Sequence, residues 1–351
     1  MFESYTIRDI AKALNLSTST VSRALNGSYE ISKETKKIIC EYAEKVNYRP
    51  NPIALSLKEQ KSHSIGVVVC EVANNYFSQA INGIESIAYN KGYHVIITQT
   101  HESSAREEAN VQHLLSRHVD GLLVSLSAET TDLTLYQELQ KKGFPIVFFD
   151  RVAADIEAHK IIADNYKGSF EATEHLIQQG HTRIAHLTSS NNLLITRERL
   201  EGYKAALEAY NLPYRMEYIK HCNQGGLMKD EVESAVNDLL RLDSRPSAIF
   251  IAGDRLTTNC LFLLKELGLS VPENIAIAGF TNSDVAELFS PTFTVVRQPA
   301  FQMGQMATEI LVKTIESKCP VTEFVTEQLP TELIKRETSI YSTRLKSYSY
   351  L

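Results

Sequence analysis

The sequence predicts an α/β protein with a small helical head, a short hinge helix and a two-lobed body of doubly wound parallel sheets. Apolar residues recur at helical spacing through the first 49 residues. From Ser64 to about Pro330, short β-branched runs alternate with amphipathic helices, which is typical of parallel sheets covered on both faces. The 351 residues suffice for two or three domains of roughly 150 residues each. We expect a head (1–49), a hinge helix and linker (50–61), a core (62–337) and a tail (338–351).

The head should contain three helices with a tight turn between the first two. Thr6, Ser17 and Ser32 can each cap a helix by accepting a backbone N–H. The apolar positions of the helices are Ile7, Ile10, Ala11 and Leu14; Val21, Ala24 and Leu25; and Ile38, Ile39, Tyr42, Ala43 and Val46. Asn47 is expected to end the third helix in a left-handed conformation. This arrangement is the helix-turn-helix pattern.

The outward face of the second helix indicates contact with DNA. It carries hydroxyls and one guanidinium without an acid, at Thr18, Ser19, Thr20, Ser22 and Arg23. Short hydroxyls allow close approach to phosphates and base edges, and an arginine can pair with guanine in the major groove. The first 61 residues hold ten Lys or Arg and seven Asp or Glu, so their net charge is +3. Since the whole chain has a net charge of −6, the remaining residues carry −9. The alternative is a solvated surface, but Ser and Thr are poor helix formers, which favours the DNA interpretation.

The segment from Pro50 to Lys58 predicts a short hinge helix whose Ile53, Ala54 and Leu57 share one face. One such helix cannot bury that face alone. Two symmetry-related copies can pack together, with Leu57 inserted between base steps of a minor groove. A linker helix that rests on the body is the alternative.

The body should bind a ligand between two lobes. We expect strands at 65–69, 95–98, 121–125, 146–149, 184–187, 248–251 and 275–278, and helices at 77–91, 105–117, 133–142, 166–179, 197–210, 229–242 and 257–267. In doubly wound sheets, ligands bind at the carboxyl ends of the strands. The sequence contains no phosphate-binding loop, nucleophile elbow, His-Glu-x-x-His or dinucleotide fingerprint, which lowers the odds of an enzyme. We expect no metal and no cofactor.

Several features are typical of a cytoplasmic protein. The five cysteines are scattered and form no Cys-x-x-Cys pair. The most apolar run, at 144–149, is far shorter than the ~20 residues that a membrane-spanning helix needs. Met1 is not followed by a basic cluster and an apolar core, so no signal peptide is predicted.

Three ordered blocks in the head and hinge resemble the LacI/GalR family of bacterial transcription regulators. They are Thr6-Ile7-Arg8-Asp9-Ile10-Ala11, the run from Leu16 to Gly27, and Tyr48-Arg49-Pro50-Asn51. The body resembles that family's periplasmic-binding-protein-like core through blocks such as Val119-Asp120-Gly121-Leu122-Leu123-Val124 and Arg297-Gln298-Pro299. The resemblance implies a homodimeric regulator, most often a repressor, that binds a near-palindromic operator in double-stranded DNA and is controlled by a small-molecule effector.

The resemblance also implies site residues by position. Thr18, Ser19 and Arg23 would read bases, Leu57 would be the minor-groove wedge, and contacts to the DNA backbone would come from Thr6, Ser17, Thr20, Ser22, Asn26, Ser32 and Tyr48. The effector site would comprise Tyr76, Phe77, Asp150, Arg151, Arg199, Asp254, Thr281 and Gln298, a set that suits a sugar. Structural alternatives are core packing for Phe77, helix capping for Asp150 and Asp254, and pairing of Arg199 with Glu198 or Glu201.

Departures from the family pattern refine the expected effector. Thr281 replaces a frequent Asp while Arg151 and Arg199 remain, so we expect a cationic pocket and hypothesise a uronate or phosphosugar. Leu193 and Ile195 stand where purine-binding members carry Arg and Thr, which disfavours a purine. Leu55 replaces a frequent Arg or Gln of the hinge. Alternatives are a protein co-regulator in place of the metabolite, a carbohydrate-modifying enzyme, and a transport-type binding protein.

Overall fold

The computed structural model describes residues 5–48, 61–319 and 321–340. The chain divides between Ser62 and His63 into two compact units, here called the head and the body. The predicted hinge helix, with Leu55 and Leu57, lies outside the described residues, as does the predicted tail after residue 340. Among the helices that the structure does describe, none is long and apolar enough to cross a membrane.

The head consists of three helices with their predicted caps. They are α1 (Ile7–Ala13), α2 (Thr18–Leu25) and α3 (Lys33–Lys45). Thr6 and Asp9 form a reciprocal capping box, and Ser17 and Ser32 accept the backbone N–H groups of Thr20 and Thr35. A small shared core holds them together, with Ile10, Ala11, Val21, Ala24, Ile39 and Ala43 buried. The left-handed φ of Asn47, 51°, confirms the predicted end of α3.

The chain passes between the two lobes of the body three times. It first builds most of the first lobe, with β1 (Ser64–Val69), α4 (Asn75–Asn90), β2 (His94–Gln99), α5 (Ser104–Ser116), β3 (Gly121–Val124), α6 (Thr134–Lys141), β4 (Ile146–Phe149) and β5 (His159–Ala163). It then builds most of the second lobe, with α7 (Asn165–Gln178), β6 (Ile184–Thr188), α8 (Leu194–Ala209), a 3-10 turn (Met216–Tyr218), β7 (Ile219–His221), α9 (Lys229–Arg241), β8 (Ala248–Ile251), α10 (Asp254–Glu266), β9 (Ala276–Phe280) and β10 (Thr294–Arg297). It returns to the first lobe for α11 (Ala300–Glu316) and β11 (Thr326–Leu329), and ends in the second with β12 (Glu332–Ile334).

Each lobe contains one six-stranded sheet, as the doubly wound prediction requires. The first has the order β11-β5-β4-β3-β1-β2 and is parallel throughout its described pairs. The second has the order β12-β10-β9-β8-β6-β7, and its edge strand β12 runs antiparallel to β10. The predicted α/β fold class is confirmed, and strands 146–149 and 248–251 have their predicted bounds.

Close packing of α11 on α4 joins the C-terminal part of the chain to the first lobe. A Cβ added to Gly83 of α4 would lie 2.0 Å from the carbonyl oxygen of Phe301, and one added to Gly304 of α11 would lie 2.1 Å from that of Ala80. Glycine at both positions lets the two backbones touch. One helix and five strands were not predicted from the sequence, namely α11, β5, β7, β10, β11 and β12.

The segment predicted to begin the tail packs with the second lobe. Thr338 and Ser339 are completely buried. The hydroxyl of Thr338 accepts the N–H of Thr294 at 2.8 Å and donates to the carbonyl of Ile277 at 2.9 Å. These contacts pack Thr338, which the prediction assigned to the tail, against the second sheet.

Candidate functional site

The head presents most of its predicted DNA-contacting residues at the surface. Thr6, Ser17, Thr18, Ser19, Arg23, Asn26 and Ser32 are exposed, whereas Thr20, Ser22 and Tyr48 are partly buried. Three of the hydroxyl residues also act as helix caps, so they hold the fold of the head. The Ser17 hydroxyl lies 2.8 Å from the hydroxyls of both Ser19 and Thr20. A connected row of hydroxyls therefore marks the start of α2.

Tyr48 has a structural role in addition to its predicted one. Its ring packs against the core of the head, and its N–H donates to the carbonyl of Ala43 at 2.9 Å. Burial raises the pKa of its phenol above the usual value of 10.0. Tyr48 thus remains neutral at physiological pH and anchors the chain that leaves α3.

The cleft of the body lies at the carboxyl ends of strands from both lobes. Seven of the eight predicted effector residues line it, namely Tyr76, Phe77, Asp150, Arg151, Arg199, Asp254 and Gln298. The eighth, Thr281, donates its hydroxyl to the carboxylate of Asp254 and supports the site from behind. The carboxyl ends of parallel strands lie at the same edge of a sheet, which explains why residues so far apart in sequence converge.

Asp150 is buried at the end of β4 in a left-handed conformation, with φ 60°. Nε2 of Gln298, from the other lobe, donates to its carboxylate at 3.3 Å. Burial raises the pKa of this carboxyl above its usual 3.8, against the opposing effect of Arg151 and Arg199. This backbone conformation is uncommon for residues other than glycine, and such residues cluster at ligand-binding sites.

Arg151 is neutralised by Glu102, a residue that sequence analysis missed. One guanidinium nitrogen of Arg151 donates to the two oxygens of Glu102 at 2.8 and 2.6 Å, and the Glu102 side chain is only 3% exposed. The N–H of Ala128 donates to the same carboxylate at 2.8 Å. Burial alone would raise the pKa of Glu102, but Arg151 and these hydrogen bonds outweigh it and hold that pKa below its usual 4.5.

Arg199 is a buried cation whose hydrogen-bond partners are neutral and whose charge is favoured by the nearby carboxyl groups of Asp150 and Glu198. Its Nε donates to Asn165 at 2.9 Å and its Nη1 to the carbonyl of Ala252 at 3.0 Å, while its guanidinium lies 3.9 Å from the centre of the Phe280 ring. Burial lowers its pKa to about 10, so it keeps its charge at neutral pH. The carboxylates of Glu198 and Glu201, the alternative partners, accept hydrogen bonds from Asn165 and Lys204, and Glu198 acts on Arg199 only through its charge.

The other structural alternatives fare differently. Phe77 belongs both to the core of the first lobe and to the wall of the cleft. Asp254 occupies the first turn of α10, but it also accepts the Thr281 hydroxyl, and burial raises its pKa. Leu193 and Ile195 form an apolar cluster with Ala128, and Ile195 reaches the cleft.

Two polar contacts join the lobes beside the cleft. Arg255 at the start of α10 forms a two-pronged ion pair with Glu71, which follows β1. Gln79 and Asn282 bond reciprocally: Asn282 Nδ2 donates to Gln79 Oε1 at 2.8 Å, and Gln79 Nε2 donates to the Asn282 carbonyl at 3.0 Å. Both contacts require the lobes to be close together.

The expectation of a cationic pocket is wrong. Among the described residues that line the cleft, four are acidic and three are arginines: Glu71, Glu102, Asp150 and Asp254 with Arg151, Arg199 and Arg255. Glu102 and Glu71 were not included in the prediction because they follow β2 and β1 outside any recognised block. Within the described ranges, no group of three or more His, Cys, Asp or Glu is placed to hold a metal ion.

Comparisons with known proteins identify the family. The model of "Bacterial regulatory proteins, lacI family" matches residues 6–51, and that of a "Periplasmic binding protein-like domain" matches residues 173–339. The HTH-type transcriptional repressor PurR of Vibrio vulnificus (strain CMCP6) is 33% identical over 314 residues, covering 89% of this chain and 92% of the relative.

Two solved structures with bound sugars are also similar. The transcriptional regulator CelR–cellobiose complex is 28% identical with a TM-score of 0.71, covering 95% of this chain and 99% of that one. A LacI family transcriptional regulator from Enterococcus faecium with bound ribose is 29% identical with a TM-score of 0.68, covering 79% of this chain and 98% of that one. The chain belongs to the lacI family of bacterial regulatory proteins and is a DNA-binding transcriptional repressor rather than an enzyme.

Proposed function

We propose that two copies of this chain bind a near-palindromic operator in the cytoplasm and that a small neutral sugar in the cleft controls that binding. The observation that carries the effector assignment is the charge balance of the cleft. Arg151 is paired with Glu102 and Arg255 with Glu71, so neither is a free counter-ion for a phosphate or uronate. The third arginine, Arg199, bonds to neutral groups, but the carboxyl groups of Asp150 and Asp254 also line the cleft and disfavour an anionic ligand beside it. The sugars named in two similar structures, cellobiose and ribose, support this assignment.

The side chains of the cleft suit a polyhydroxylated ring. Tyr76 and Phe77 provide aromatic faces for C–H surfaces, with their rings 5.3 Å apart at 79°. Asp150, Gln298 and Arg199 present hydrogen-bonding groups of both kinds to hydroxyls. Apolar stacking combined with charge-assisted hydrogen bonds is a common mode of ligand binding in such clefts.

In the proposed DNA complex, Thr18, Ser19 and Arg23 contact bases, and the remaining predicted head residues contact or position the phosphate backbone. Leu57 of the hinge enters the minor groove. A dimer with two-fold symmetry places one head on each operator half-site. The effector changes operator affinity by favouring one arrangement of the lobes, and operator binding must change effector affinity by the same factor.

Calorimetry on the full chain tests the effector assignment. Cellobiose and ribose represent neutral sugars, glucuronate and ribose 5-phosphate represent anions, and hypoxanthine represents purines. We expect saturable binding of a neutral sugar and none of the anions. Binding confined to an anion or to the purine would contradict the assignment, and silence from every small molecule would favour a protein co-regulator.

Footprinting with Arg23→Ala tests the DNA interface. We expect a loss of about 1–3 kcal/mol in specific binding and relaxed selection at one base pair of each half-site. The exposed substitution Lys45→Ala serves as the control for the loss of one positive charge from the head. A footprint that Arg23→Ala leaves unchanged would contradict the assigned role.

A further inference from the structure

The recognition surface of the head contains an ion pair that the proposed function does not use. Nη1 of Arg23 lies 3.1 Å from the carboxylate of Glu30, and their side chains are 60% and 48% exposed. Arg23 is the charged residue of α2, whose other outward side chains are hydroxyls. The ion pair therefore influences the orientation of the Arg23 guanidinium on that surface.

The loop after α2 fixes Glu30 relative to Arg23. The N–H of Ser28 donates to the carbonyl of Arg23 itself at 2.9 Å. The N–H of Glu30 donates to the Ser28 hydroxyl at 3.4 Å, and Ile31 packs against the core of the head. Gly27 permits this tight return with a φ of 75°. The carboxylate is thus held near Arg23 by the local backbone.

The pair leaves the base-reading edge of Arg23 available. Glu30 contacts Nη1, so the parallel N–H groups of Nε and Nη2 can still donate to two acceptors such as O6 and N7 of guanine. A free arginine loses considerable rotamer freedom when it pairs with a base. An arginine already held by a carboxylate loses less of that freedom on binding.

We propose that Glu30 is a specificity-determining residue that positions Arg23 for a guanine edge. The inference rests on the proposed DNA-binding mode. The carboxylate repels phosphates, so it weakens binding to every DNA sequence by its charge. It also improves discrimination at the base pair that Arg23 reads. Its net effect is a larger ratio of specific to non-specific affinity.

The test compares Glu30→Gln with Glu44→Gln in the full chain. Glu44 is exposed on α3, so its substitution removes the same charge from the head. Binding to selected operator fragments, to the same fragments with the guanine replaced, and to unrelated duplex is measured at one salt concentration. We expect both variants to bind unrelated DNA more tightly, and Glu30→Gln alone to lose roughly two- to fivefold of the guanine preference, the range of an exposed ion pair.

A second comparison isolates the coupling to Arg23. In an Arg23→Ala background, Glu30→Gln should behave like Glu44→Gln, with no further loss of discrimination. An unchanged or improved guanine preference in Glu30→Gln would overturn the inference, since Glu30 would then only compete with DNA for Arg23. If the unsubstituted chain selects no operator, the proposed function itself fails and this inference with it.

Discussion

Replacing Glu102 by glutamine removes the hydrogen-bonded charge partner of Arg151 in the wall of the cleft and leaves the longer contact of its Nε with Asp150, at 3.9 Å. The side chains of Glu102 and Arg151 are 3% and 13% exposed, so water screens little of the remaining charge. Removing one partner of a buried ion pair costs about 3–5 kcal/mol of folding free energy. Glutamine keeps the size of the side chain and one acceptor oxygen, so we expect a loss of about 3 kcal/mol, near the lower end.

The same substitution should change which ligands the cleft accepts. Without the Glu102 carboxylate, the Nη1 group of Arg151 can bind an anion, and its guanidinium lies 5.8 Å from the centre of the Phe77 ring. We therefore expect weaker binding of neutral sugar, and we expect inorganic phosphate to raise the melting temperature of the variant but not of the unsubstituted chain. The exposed substitution Glu208→Gln is the control for loss of a negative charge.

The pH dependence of stability gives the variant a third readout. The pKa of Glu102 is lower in the folded chain than its usual 4.5, so its contribution is present above pH 4.5 and is lost as the pH falls through the folded pKa. In Glu102→Gln, the free energy of unfolding should therefore fall less as the pH is lowered. Urea unfolding between pH 3 and 7 measures it. A variant with unchanged stability and unchanged ligand preference would refute the claim that Glu102 neutralises the cleft.

Three further predictions concern the lobes and the core. Glu71→Arg should weaken sugar binding, measured by calorimetry, because it removes the ion pair between the lobes. Adding Arg255→Glu should restore part of the affinity, and no restoration would contradict the pairing. Burial lowers the pKa of His175 from 6.5 to about 4, so between these pH values protonation of the unfolded chain lowers the free energy of unfolding as the pH falls. His175→Gln should remove up to ~1.4 kcal/mol per pH unit of that loss between pH 6.5 and about 4. Stability lost equally by both proteins over that range would contradict it. Gly83→Ala should cost about 2 kcal/mol or more in urea unfolding, since its methyl group would meet the backbone at Phe301, and a neutral effect would contradict that contact.

The strands whose bounds were predicted correctly from the sequence are buried along their whole length. The runs in β4 and β8 are apolar at every position and completely covered, so composition determines their bounds. β11 reads Thr-Glu-Gln-Leu and is mostly exposed. Its pairing with β5 depends on backbone hydrogen bonds between segments more than 160 positions apart, which no local pattern encodes.

The cleft shows a similar division. Asp150, Arg199 and Gln298 follow or face recognisable strands, and all three line the cleft. Glu102 follows β2 through two consecutive left-handed residues, His101 and Glu102, which turn its carboxylate toward Arg151. Glutamate does not favour that conformation, so sequence alone did not indicate the turn. The position after β2, at the ligand-binding edge of the sheet, was the available clue.

We infer a sugar-controlled repressor that reads two related half-sites, and selection of bound genomic fragments by the purified full chain tests both properties in one experiment. The selection is run at one stated salt concentration, without sugar and with the neutral sugar that calorimetry identifies. We expect one enriched near-palindromic motif whose recovery changes when the sugar is added. Absence of any enriched motif under both conditions, or a motif whose recovery the bound sugar leaves unchanged, would contradict this inference.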